Sequence, residues 1–168
     1  MAATFNWAQS SGVLPGVRSD LGSSGNLVDF KNIDSIGTSD YSTYPIAAGN
    51  NSYEVYLQGH FTGSFNTVSD TRFWCSTAFS PNTGLVVYCQ STGITAYAQP
   101  LNSASVIATS VVGTSDPGHR NISIGNSLTS SLTTSGYTDY LVLQLSTQSN
   151  APAGDTSLAT FSLSYIET

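Results

Sequence analysis

From residue 53 onward the apolar side chains of this chain recur at every second position. In SYEVYLQGHF, Tyr53, Val55, Leu57 and Phe61 alternate with Glu54, Gln58 and His60. YLVLQLS repeats the pattern with Leu141, Leu143 and Leu145, and ATFSLSYIE with Ala159, Phe161, Leu163 and Tyr165 against Thr160, Ser162 and Ser164. Successive side chains of a strand point to opposite faces, so a period of two denotes strands with one face buried. No segment combines a helical period with caps. Further strands are predicted over 27–34, 72–79, 85–90, 94–98, 105–112 and 121–125, with a weaker one at 128–133. Turn clusters separate them: AAGNN, SPNTG, TSDPGHR and SNAPAGD. Many short strands between frequent turns predict an all-β fold, an antiparallel sandwich, jelly roll or Greek-key barrel, over residues 25–168 as a single domain. There is no internal repeat of solenoid length.

Residues 1–24 read differently. They are rich in Gly and Ser, and the apolar Phe5, Trp7, Val13 and Leu14 stand apart with no helical period. The segment is expected to be an extended N-terminal arm. Its four apolar side chains would not stay in water, since burying a large one is worth roughly 1.5–3 kcal/mol. The GSSG of 22–25 gives slack between arm and body. Phe5, Trp7, Val13 and Leu14 are therefore expected to anchor the arm, either as one more edge strand of its own subunit or, as the slack favours, on a neighbouring subunit, making a homo-oligomer.

Charge narrows the partners. Only 8% of the residues are charged, against roughly 25% in an average globular protein. Neutral Ser, Thr, Asn and Gln can be buried against a neighbour without stranding unpaired ions, which suits packed assemblies. The net charge is −6, and the four cations, Arg18, Lys31, Arg72 and Arg120, are scattered. Nucleic-acid backbones demand clustered cations, so no nucleic-acid partner is expected. The start MAATFNWAQSSG lacks the basic and apolar regions of a signal peptide, and no later run reaches membrane-span length. Synthesis in a cytosol and no membrane partner are expected. The sequons at Asn50 and Asn121 then read as chance.

Both cysteines lie in FWCSTAFSPNTGLVVYC, residues 73–89, which reads as a strand–turn–strand hairpin. An odd loop centred on Asn82 sets Cys75 opposite Cys89. A four-residue loop, Pro81 to Gly84, puts them on opposite faces. The turn permits either register. A metal needs about four ligands, and His60 and His119 lack the spacing to complete a set. A catalytic thiol needs a base beside it, and RFWCSTAF offers only Arg72. Cys75 and Cys89 are expected to be free thiols, small buried hydrophobes without a disulfide.

No other stretch assembles catalytic chemistry. In DPGHR, Asp116-Pro117-Gly118 is turn chemistry, and His119 lacks a nucleophile and an orienting partner. Glu54 and His60 share a face but lie roughly 20 Å apart along an extended strand. Asp40, Asp70, Asp116, Asp139 and Asp155 sit mostly in turns without an EF-hand pattern. Tyr41, Tyr44, Tyr53, Tyr56, Tyr137 and Tyr140 would suit a sugar-binding platform, but Tyr also packs well on pleated surfaces. A non-enzymatic protein without catalytic residues, metal or cofactor is expected.

Three stretches carry a family resemblance: DPGHRNISIG, GYTDYLVLQL and APAGDTSLATFSLSYIE, joined by FKNIDS and YEVYLQGHFTGSF earlier in the chain. Across most of residues 27–168 the chain resembles the small β-sandwich structural proteins of tailed-bacteriophage virions. The resemblance implies a virion component made in the host cytoplasm, most simply a capsid cement or decoration protein. It implies a homo-oligomer, by analogy a trimer, that contacts other virion structural proteins. A tail, neck or baseplate component is the nearest alternative. A carbohydrate- or receptor-binding sandwich is the alternative of another class.

Overall fold

The computed structural model describes residues 2–22, 28–37, 42–154 and 156–168. Its strands are β1 (Ala3–Ser11), β2 (Val17–Asp20), β3 (Val55–Gly63), β4 (Val68–Thr77), β5 (Leu85–Gln90), β6 (Ser110–Val111), β7 (Gly136–Tyr137), β8 (Leu141–Thr147) and β9 (Thr160–Glu167). There is no helix among the described residues. The larger sheet has the order β2-β1-β3-β8-β5-β6, with β7 also on β3, and the smaller pairs β4 with β9. Every pairing is antiparallel. The two sheets pack face to face as an all-β, antiparallel sandwich.

The alternation seen in the sequence sets the inner face. Val55, Leu57, Leu141 and Leu143 of the larger sheet meet Phe73 of the smaller in one buried cluster, with Phe161 and Leu163 packed against it. The Phe73 and Phe161 rings stack at 5.6 Å. Along one side the sheets are laced together by backbone: Val112 donates to Val87 O of β5, and Cys75 of β4 donates to Gly113 O. The residues between β6 and β7 continue this lacing, with Asn121 and Ile122 both donating to Thr71 O.

The outer face of the larger sheet is not left to water. Tyr56, Tyr140 and Val142 form a second buried cluster beneath Ile94, Tyr97, Ala98 and Ile107 of the long β5–β6 connection. Polar side chains pin that connection down. Glu54 accepts from Leu101 N and Ser105 Oγ. Gln144 accepts from Ser105 N and donates to Ser103 O. The alternating polar residues therefore line a second buried layer. Hydrogen bonds to the connection satisfy the Glu54 carboxylate and the Gln144 amide and offset their loss of water.

Three expectations need correction. Over its described residues, 1–24 is no separate arm: β1 pairs with β3 of its own chain from Ala3↔Gly63 to Ser10↔Tyr56. The spacing of Phe5 and Trp7 is itself a period of two, and it turns both rings inward. The GSSG stretch beyond Gly22 lies outside the described residues. Second, 73–89 is not a hairpin. β4 pairs with β9 and β5 with β8, so the chain crosses from one sheet to the other between the cysteines. Third, 27–34, 94–98, 121–125 and 128–133 form no strand among the described residues, and 105–112 yields only β6. Side chains supply the pairing instead: Asn121 both donates to Phe73 O and accepts from Phe73 N, as a neighbouring backbone would.

Candidate functional site

The four expected anchors part company. Trp7 is buried in the inter-sheet cluster, edge-on to Phe73 at 6.0 Å, and Phe5 packs edge-on to Trp7 at 5.1 Å. These two hold β1 to its own body. Val13 and Leu14 stand at the tip of the β1–β2 hairpin, 71% and 64% exposed. Val17, the first residue of the adjoining edge strand, is 68% exposed.

This tip is built to be rigid. Its loop, Gly12 to Gly16, is closed by a Gly16 N–H bond to Val13 O at 2.8 Å. The Gly12 N–H donates to Asp34 Oδ2 at 2.7 Å, and the Tyr97 hydroxyl donates to Gly12 O at 2.6 Å. Gly16 has φ +78°, and a Cβ there would run into the Tyr97 ring. Only glycine satisfies both constraints. Burial pushes the Asp34 carboxyl and the Tyr97 phenol up, the latter with help from the Asp34 charge. An apolar knob is thus clamped from both sides and offered to solvent.

Behind the knob, a polar staple ties the edge strand to the sheet. Arg18 lies over the Tyr137 ring at 3.7 Å and donates to Gln58 Oε1 at 2.9 Å. His60 stacks on Tyr137 at 4.1 Å and meets Asp20 through Nδ1 at 2.9 Å. Ala8, in register with Asp20 on one side and Gln58 on the other, is small enough for these chains to pass over β1. The staple leaves β2 at the end of the sheet order.

The remaining candidates are dispersed. Cys75 and Cys89 are free and lie on facing sheets, packed against the same cluster. Burial pushes the Cys89 thiol up to about 11 and raises that of Cys75. Asp116 accepts from Gly118 N in the predicted turn and pairs with Arg72 at 3.1 Å, while His119 is exposed. Asp70, at φ 53° beside a bulge in β4, faces Arg72 and Arg120. Asp139 accepts from Ser123 Oγ, Gly125 N and Asn126 N. Glu54 and His60 serve different partners. The tyrosines make no common platform: Tyr56 and Tyr140 are buried, Tyr137 is covered by Arg18 and His60, and Tyr44 stands at a cavity mouth. Tyr41, Asp40 and Asp155 lie outside the described residues. Among the described residues no three His, Cys, Asp or Glu side chains are placed to hold a metal ion.

Sequence reasoning missed a cavity of about 1110 Å³ between the sheets. Its deep wall is Trp7, Leu57, Phe73, Leu143 and Phe161. The signal lay in the turn clusters, where AAGNN and SNAPAGD supply small side chains at the end of the core.

No family model, curated protein or solved structure matches this chain.

Proposed function

We propose that this chain is a non-enzymatic structural protein of a tailed-phage virion, most simply a capsid cement or decoration protein that assembles with itself and with neighbouring capsid subunits. The observation that supports this most is the clamped apolar knob, Val13 and Leu14, next to the terminal strand β2. Hydrogen bonds to Asp34 and from Tyr97 hold in place the loop that displays these aliphatic side chains to water. An edge strand beside such a knob can accept a strand from another subunit while the knob seats in an apolar recess. The charges on β2 are already engaged, Arg18 with Gln58 and Tyr137 and Asp20 with His60, so a partner strand leaves no unpaired ion.

The test is an antibody against the chain, applied to purified particles of the virus that encodes it and visualised by electron microscopy. Label spread over the capsid is the expected result. Label confined to the tail, neck or baseplate selects that alternative within the same reading. Particles without label, with all the chain recovered in the soluble fraction, would remove the virion role.

A further inference from the structure

The smaller sheet has two strands and cannot cover the inner face of its larger partner. Where it stops, Leu85, Leu143, Leu145 and Thr147 are roofed by loops instead. Those loops bring Ala47, Ala48, Ala151, Pro152, Ala153 and Ala159 to the cavity wall. Side chains this small roof the space without filling it. Phe30 bridges the mouth and the interior, edge-on to Phe79 at 6.4 Å and to Phe161 at 6.5 Å. The result opens to solvent past largely exposed loop residues at 42–48, 151–154 and 156–158.

We infer that this inter-sheet cavity is a binding site for an elongated, uncharged apolar small molecule of the long-chain alcohol kind. Its volume is just above the roughly 300–1,000 Å³ typical of small-molecule pockets, and its walls are mainly aromatic and aliphatic, as such pockets are. The charge of the lining selects among apolar ligands. None of the chain's four cationic side chains lines the cavity, so nothing there answers a fatty-acid carboxylate. Among the described residues the acid on the wall is Asp29, already in the field of Lys31. Thr156 and Ser157 lie on the loop side, the Ser157 hydroxyl accepting from Ser80 N, and can meet a hydroxyl head group while the alkyl tail runs toward Trp7 and Phe73.

Titration with N-phenyl-1-naphthylamine, an uncharged fluorescent probe, is expected to give saturable one-to-one binding with a rise in probe emission. Dodecanol should displace the probe at a concentration at least tenfold below that of dodecanoate. Ala159→Trp, on the side of β9 that carries Phe161 and Leu163, should weaken probe binding more than tenfold with the circular dichroism unchanged. Ala48→Trp at the mouth is the second filling variant, should the first not fold. The inference fails if binding is not saturable or if dodecanoate competes as well as dodecanol. It fails equally if a folded filling variant binds the probe as the parent does. None of these outcomes bears on the virion reading, which the labelling of particles decides separately.

Discussion

At the scale of single residues, burial explains which groups are inert and which are strained. Cys89 faces the apolar space between the sheets, and its thiol, pushed up to about 11 from near 9, stays protonated at neutral pH. The thiolate is the reactive form. Iodoacetamide should therefore label native Cys89 slowly at pH 8 and label it fully once the chain is unfolded in guanidinium. The sign follows from linkage: the folded state holds this proton more tightly, so its contribution to stability is intact below about 9 and is lost as the pH rises toward 11. Fast native labelling at pH 8 would contradict the assigned burial. Tyr56 is the strained case. Its side chain is fully buried, its hydroxyl meets no hydrogen-bond partner among the described residues, and its phenol is pushed up to about 12 by burial and by Glu54. Leaving such a group unsatisfied costs about 1–3 kcal/mol. Tyr56→Phe should raise the denaturant midpoint without changing the slope of the unfolding transition. A lower midpoint would mean that the hydroxyl has a partner.

At the scale of elements, the period of two carried β3, β8 and β9 from sequence to structure with their inward faces as read. It failed where strands are short or their partners are side chains. β2, Val17 to Asp20, offers one apolar residue in four and has no pattern to detect. The segment at 121–125 alternates like a strand, but its ladder is made by Asn121 and Asp139 side chains, which no local pattern reveals. β1 was legible in kind but not in destination. Phe5 and Trp7 alternate as a strand should, yet only the fold shows that they point into their own sandwich. The consequence is opposite to that of a detachable arm. Trp7→Ala should cost about 3–5 kcal/mol, the range for a large buried aromatic, and deleting residues 2–20 should leave a chain without cooperative thermal unfolding. A truncated chain that melts like the parent would return β1 to the status of an arm. The outer connection invites a similar test. Glu54→Ala strands Leu101 N and Ser105 Oγ, at about 1–3 kcal/mol. It should speed hydrogen exchange in 94–108 before it affects β8.

On the scale of the whole molecule, low charge accounts for two features at once. It lets the sandwich bury a polar outer face beneath the β5–β6 connection, and it leaves a surface on which apolar side chains are not ringed by ions. The cavity and the clamp that holds the knob both arise where segments distant in sequence converge, so the sequence showed Val13, Leu14 and the small-residue turns but not their arrangement. Gly12, Asp34 and Tyr97 meet only in the fold, as do the small-residue loops that roof the inner face. The central claim is that the clamped knob and the β2 edge join one copy of the chain to another. Sedimentation velocity on the purified chain, beside Val13→Ser/Leu14→Ser, tests it most directly. The account predicts a concentration-dependent oligomer for the parent, by analogy a trimer, and a monomer with unchanged circular dichroism for the double variant. A parent that stays monomeric at every concentration, or a variant that sediments as the parent does, would contradict it.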